Sequence, residues 1–434
     1  MADPKHQARP QPTQPTQSHT SNSRAQPPAT TRQPARDRQG QSRPPLRETQ
    51  PRPREREAGI RQRKFEEFAD KARDENSSEN RVYKVLAPYL NIGRYFVRGI
   101  DMTANIDEVI AVGMAEEARL KRIAAREARI ASGARLAVNN DETDANMTEK
   151  ERKKKACNIA SYSAVVERYP FLKERLEECA LYGDPELQGI LLRVIRTGMK
   201  EARRNDTKTL KDDILDWIPT LFDNDLKTLG KDLDAFKWPK LTKSILKSER
   251  GINNSQLAML LLPWKEASRF WVEAEGMDDV KRIMDDISDG TIPPMKSDNI
   301  PAFLTQWSKH DPKQMLRGLL LGSLLIAAFK AIFTGPSSAL EPKIVATKAG
   351  NAKLHNIKTV SIPLLAYTIA QVRFALSPMQ SWRSKDGKFN TNNFYAWISE
   401  YLNNTPLAWR TKTFKILNQY VAFPACFLVN HFVF

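Results

Sequence analysis

Cysteine is scarce in this 434-residue chain: Cys157, Cys179 and Cys426 are all there are, and no two form a CxxC pair. That spacing excludes a disulfide scaffold and a cysteine-based zinc cluster. Five scattered histidines argue against a histidine-rich metal site, so no metal or other cofactor is expected. Runs of alternating β-branched residues are missing, which argues against a substantial sheet. Nothing matches GxGxxG, GxxxxGK[ST], HExxH, GxSxG or the kinase signatures, so the common phosphate cradles and hydrolase elbows are absent. Long apolar runs are missing as well. The longest, Gly318–Phe329, has 12 residues between Arg317 and Lys330, where a membrane span needs about 20. It reads as a central core helix, and no membrane partner is expected.

Aromatic residues are absent from residues 1–64, where Leu46 and Ile60 are the only large aliphatics. The same segment holds 11 of the 27 prolines and ten glutamines. Such a composition cannot bury enough apolar surface to offset chain entropy, so residues 1–64 are expected to be a disordered Pro/Gln/Arg-rich basic tail.

The net charge of +17 is segregated. Residues 1–64 carry 14 Lys/Arg against 5 Asp/Glu, residues 65–155 balance at 17 against 17, and residues 156–434 hold 37 against 29. More than half of the basic excess therefore lies in the first seventh of the chain.

The predicted fold class is all-α, with a single compact helical domain preceded by a helical arm (65–138) and the N-terminal tail. Short helices are predicted at Phe65–Asp74 and Arg81–Arg98. A long one follows at Ile106–Leu136, with a buried stripe of Leu120, Ile123, Ala124, Ile130 and Ala131. Its acids at the front and bases at the back complement the helix dipole.

A polar then basic linker (139–157) contains Lys150-Glu151-Arg152-Lys153-Lys154-Lys155, five bases in six residues. Such a run suits a nuclear-import signal or phosphate contacts. The helical domain covers 158–419, with an apolar C-terminal tail at 420–434. Within it, Asp184 and Pro185 open a helix with Leu187, Ile190, Leu191, Val194 and Ile195 inward. Asp206 or Thr207 caps the next, with Leu210, Ile214, Trp217 and Ile218 inward, and Pro219 ends it. Met277, Val280, Ile283, Met284 and Ile287 form another stripe, stopped by Gly290. The eight tryptophans fall in apolar surroundings and read as core anchors.

Two sets of residues are candidates for chemistry. Lys150, Arg152, Lys153, Lys154 and Lys155 would contact phosphates or nucleic acid. The loop Phe333–His355 is long for an internal connection. It brings Ser337, Ser338, Lys353 and His355 near Arg373 in sequence, as a candidate ligand loop with Trp382 downstream. No nucleophile elbow accompanies Ser337 or Ser338, and no catalytic residue is assigned. Acidic clusters at Asp212, Asp213 and Asp216, and at Asp285, Asp286 and Asp289, flank buried stripes and read as solvated faces.

Five ordered motifs carry a resemblance: Arg204–Lys211 leading into Leu215-Asp216-Trp217-Ile218; Arg250-Gly251-Ile252; Phe333–Ala339; Gly350–His355; and Gln371–Ser377. Over about residues 165–410 the chain resembles a domain-of-unknown-function family of mushroom-forming fungi. The resemblance implies a eukaryotic, intracellular helical protein and implies no activity. The expectation is a non-enzymatic protein that binds a macromolecular partner, nucleic acid first and a protein second, in the nucleus rather than the cytoplasm. An enzyme or small-ligand binder with its site in 333–377 is the competing reading.

Overall fold

The computed structural model describes residues 53–77, 83–132, 147–341, 350–382, 385–386 and 389–421. Residues 1–52 of the tail expected over 1–64, the loop residues 342–349 and residues 422–434 of the apolar end expected over 420–434 lie outside the described residues. From Glu57 on, the described residues form one compact unit.

Fourteen α-helices make up the described fold, which is all-α as the sequence predicts. In chain order they are α1 (Pro53–Ser77), α2 (Ala87–Gly99), α3 (Ile106–Ala131), α4 (Glu149–Arg168), α5 (Pro170–Tyr182), α6 (Pro185–Thr228) and α7 (Ser255–Leu261). Then follow α8 (Trp264–Ser268), α9 (Met277–Ser288), α10 (Ser323–Phe333), α11 (Asn351–Leu354), α12 (Ile362–Leu376), α13 (Thr391–Asn403) and α14 (Leu407–Val421). Among the described residues the only strands are β1 (Lys385–Asp386) and β2 (Phe389–Asn390), an antiparallel pair in which Lys385 faces Asn390 and Asp386 faces Phe389.

The centre is α6, 44 residues long, or about 66 Å at 1.5 Å per residue. Asp184 caps it by accepting from the Leu187 amide at 2.9 Å, and Pro185 occupies its first turn. Leu187, Ile190, Leu191, Val194 and Ile195 are buried as the periodicity predicts. The predicted break at Asp206 and stop at Pro219 do not occur. The Asp206 carboxylate bonds to Arg98 and Tyr367 instead of capping a helix. Pro219 costs the helix a hydrogen bond, but Leu215, Trp217, Ile218, Phe222 and Leu226 are buried on both sides of it and hold the helix together.

The apolar lead Gly318–Gly322 is not helical; Thr305 and Leu319 form an isolated antiparallel bridge there. From Ser323 the segment becomes α10, whose Leu324, Leu325, Ala327, Ala328 and Phe329 are buried among α6 and α12 as the core reading expects.

Three expectations shift at the N-terminal side. Helix α1 begins at Pro53, inside the segment expected as tail. The basic run expected in a linker is helical: Thr148 and Glu151 form a reciprocal capping box, and α4 runs on through Lys150–Lys155. In α3 the buried residues are Ile106, Val109, Ile110 and Gly113, not the predicted stripe. Leu120 and Ile130 are 51% and 53% exposed, Ala124 and Ala131 are exposed, and Ile123 is half-buried. Periodicity marks one face of a helix but not whether another element covers it. This half of α3 meets α5 through ion pairs, Lys121–Glu177 at 2.9 Å and Lys173–Glu117 at 2.5 Å.

Candidate nucleic-acid interface

The site begins with two glycines. A Cβ on Gly93 of α2 would lie 1.9 Å from the Ile195 carbonyl oxygen, and one on Gly198 of α6 would lie 2.1 Å from the Leu90 carbonyl oxygen. Without side chains at these points the two backbones cross in direct contact. That crossing sets the arginines of α2 against the acids of α6. Arg94 pairs with Glu201 at 2.8 Å. Arg98 makes a two-pronged contact with Asp206, Nε to Oδ2 at 2.7 Å and Nη2 to Oδ1 at 2.8 Å, and the Tyr367 hydroxyl donates to the same carboxylate at 2.7 Å. All three residues are buried. Burial, then the neighbouring Asp206 charge, push the Tyr367 phenol far above its usual value. One residue on, Thr207 donates to Gln371 at 2.9 Å and ties α6 to α12.

This arrangement decides the character of the opposite face of α6. Residues 193–211 hold seven bases (Arg193, Arg196, Lys200, Arg203, Arg204, Lys208, Lys211) and two acids, Glu201 and Asp206. Both acids are engaged by α2. At about 100° per residue the seven bases fall within an arc of roughly 140°. Arg196 pairs with Asp107 at 3.0 Å. Among the described residues, Lys200, Arg203, Arg204 and Lys208 have no ion pair.

A cavity of about 390 Å³ opens on this face. Its walls are the segment Met102–Ile106, then Arg196, Met199, Lys200 and Arg203 of α6, with Trp382 and Asn392. Arg203 donates to the Met102 carbonyl at 2.8 Å, while its Nε is buried and unpartnered. Burial holds its guanidinium below the usual arginine value, with the Tyr367 phenol pulling the other way. Its guanidinium carbon lies 6.0 Å from the centre of the Trp382 ring. Trp382 is half-buried and packs on Phe374 at 5.1 Å. On the rim, the Asp101 carboxylate accepts from the Thr103 hydroxyl and from the Thr103 and Ala104 amides. The chemistry of the cavity is therefore a half-buried guanidinium, an ammonium without an ion pair among the described residues and a half-buried indole, a set suited to an anion that carries a ring.

The basic run of α4 differs. Lys153 pairs with Glu400 at 3.2 Å, Lys154 with Glu108 at 2.6 Å and Arg152 with Glu149 at 3.7 Å. Lys155 is half-buried and, with Lys154, lines a largely apolar groove between α3 and α4. Lys150 is exposed.

The candidates in 333–377 are spread over structural joints. Ser337 is exposed and Ser338 fully buried in a 3₁₀ turn after α10, and Lys353 is exposed on α11. The Arg373 guanidinium lies 3.7 Å over the Phe389 ring. His355 is buried, its ring 5.7 Å from that of Tyr95, with Arg168 above Tyr95 and bonded to the His355 carbonyl. Burial first, then the charges of Arg98, Arg168 and Arg94, depress the His355 imidazole to about 3. Among the described residues its Nε2 has no hydrogen-bond partner.

The ordered motifs meet as joints too. Asn351 donates to the Ile332 carbonyl at 2.6 Å, and a Cβ on Gly350 would lie 2.7 Å from the Phe333 carbonyl oxygen. Lys247 donates to the carbonyls of Phe374, Ala375 and Ser377, and Arg250 to that of Ala375 at 2.9 Å, so two cations satisfy the open end of α12. Gly251, at φ +76°, lets the chain pass against Pro378. Of the acidic clusters, Asp213 and Asp216 pair with Lys243, and Asp286 pairs with Arg269. Among the described residues no three His, Cys, Asp or Glu side chains gather as a metal site, and no helix is long and apolar enough to cross a membrane.

The sequence reading missed the basic face of α6. Its spacing of three and four was legible, but a helix break placed at Asp206 cut the stripe in two.

Residues 197–422 match a family described as a family of unknown function, DUF6698. The chain belongs to this family. The matched region begins on α6 within the basic face, after Arg193 and Arg196, and contains all five ordered motifs. No curated protein and no solved structure matches.

Proposed function

We propose that this DUF6698 member is a non-catalytic nucleic-acid-binding protein whose phosphate contacts come from the outer face of α6. The observation that carries the reading is the set of seven bases over residues 193–211, whose two accompanying acids are bonded to α2 arginines. Fixed on a rigid helix, Lys200, Arg204 and Lys208 offer charge to a phosphate backbone without first breaking an ion pair. Contacts of this kind position a nucleic acid and carry no sequence information. The surplus of bases in residues 1–64 acts in the same sense, raising the local concentration of a polyanion. A nuclear location fits this partner.

The test uses the full chain and its Lys200→Ala/Arg204→Ala/Lys208→Ala variant. Binding to a 20-nucleotide oligo-dT and to a 20-base-pair duplex is followed across a salt series. Tight, salt-sensitive binding that the triple variant weakens supports the reading. Absence of binding to both probes at 50 mM salt overturns it.

A further inference from the structure

The cavity beside the basic face differs from the rest of the stripe in holding an aromatic ring, Trp382, beside the half-buried Arg203 guanidinium. Its volume of about 390 Å³ lies within the 300–1,000 Å³ usual for small-ligand sites and holds no duplex. Arg203 lines the cavity with a guanidinium that also donates to the Met102 carbonyl at 2.8 Å, and two further groups in the walls have unused bonding capacity. Lys200 is exposed without an ion pair, and the exposed Asn392 amide makes no hydrogen bond among the described residues. The negative groups nearby are already engaged, Asp107 with Arg196 and Asp101 with the Thr103 and Ala104 amides.

Resting on the nucleic-acid reading above, we propose that this cavity seats one unpaired nucleotide of a single strand, its phosphate at Arg203 and Lys200 and its base against the Trp382 indole. A base inside a duplex has both faces covered by its neighbours and cannot reach the indole, whereas an unstacked base can. Arg204 and Lys208 then continue the phosphate track along α6. The substrate class is thus narrowed from nucleic acid in general to strands with unpaired bases. The side-chain amide of Asn392 is placed to bond a base edge.

The experiment compares the full chain with Trp382→Ala and Trp382→Phe on the same oligo-dT and duplex. Loss of a stacking ring lowers single-strand affinity by about 5- to 100-fold. The proposal expects that loss in Trp382→Ala, with duplex affinity and salt slope unchanged, and at least partial recovery in Trp382→Phe. Retained duplex binding also shows that the variant is folded. Should Trp382→Ala fail to fold, oligo-dT titration of Trp382→Phe and wild type supplies the readout: the indole quenching seen in wild type must be reduced in the variant. If single-strand and duplex affinities fall together, or neither changes, the nucleotide seat is wrong while the basic-face reading stands. If the wild-type chain binds neither probe, both fall.

Discussion

Two basic regions of this protein differ both in sequence density and in what surrounds them. The α4 run packs five bases into six residues, yet Arg152, Lys153 and Lys154 each lie against a carboxylate. The α6 face is more dilute, but its acids are held by α2: Asp206 is buried against Arg98, and Glu201 pairs with Arg94 at the half-exposed edge of the face. Density of charge along a chain therefore says less about available charge than the partners that folding supplies. Burial separates the pairs further. The Arg98 and Asp206 side chains are 4% and 6% exposed, whereas those of Lys153 and Glu400 are 66% and 58% exposed.

The largest expected effect tests that contrast in burial. Asp206→Ala leaves the Arg98 guanidinium buried without its carboxylate and removes the acceptor of Tyr367. The expected loss is about 3–5 kcal/mol in urea unfolding. Glu400→Ala, which breaks the exposed α4 pair, is expected to cost less than about 1 kcal/mol. Equal losses would refute the distinction between the two regions.

Next comes the crossing that sets Arg94 and Arg98 of α2 against the acids of α6. Gly198→Ala forces a methyl group against the Leu90 carbonyl, and overpacking of this kind costs about 1–3 kcal/mol. Because the shift moves α6 against α2, the Arg94–Glu201 pair is expected to loosen with it. Unfolding measurements and the affinity for oligo-dT should both register the change.

Smaller effects follow from two buried titrating groups. Burial raises the Asp225 carboxyl to about 6 despite the 2.7 Å hydrogen bond from Ser323. Its folded value lies above the unfolded one, so its contribution is fully present below about pH 3.8 and is lost as pH rises through about 6. Asp225→Asn is accordingly expected to stabilise the chain more at pH 7 than at pH 4. For His355 the folded value, about 3, lies below the unfolded 6.5. The unfolded chain then binds the extra proton, and stability falls as pH drops from about 6.5 toward 3. His355→Gln should flatten that acid limb in pH-dependent melts.

The sequence made the helical class legible, because the stripes at Leu187–Ile195 and Met277–Ile287 and the caps at Asp184 and Gly290 are local signals. It misled wherever a residue's partner is distant in the chain. Asp206 has the side chain of a helix cap, and Arg98, 108 residues away, and Tyr367, 161 residues away, take it from that role. Leu120 and Ile130 have the spacing of a buried stripe, and local pattern cannot tell whether that face is covered. The loop 333–355 stands out in the sequence because it is long and rich in glycine, serine and lysine; in its described parts, Gly350 and Asn351 close a backbone joint against α10. Trp382 was visible as an aromatic beside a basic region. Its place in a cavity with Arg203 depends on a fold contact between α6 and the chain beyond α12.

The most direct test sets the two basic regions side by side in the full chain. Lys200→Ala/Arg204→Ala/Lys208→Ala on α6 is compared with Lys150→Ala/Lys153→Ala/Lys154→Ala on α4, each titrated with oligo-dT from 50 to 200 mM salt. Each single-strand phosphate contact contributes about 0.7 to the slope of log affinity against log salt. The α6 variant is expected to flatten that slope by about 2, with the α4 variant close to wild type. A larger flattening in the α4 variant would contradict the account and return the interface to Lys150–Lys155.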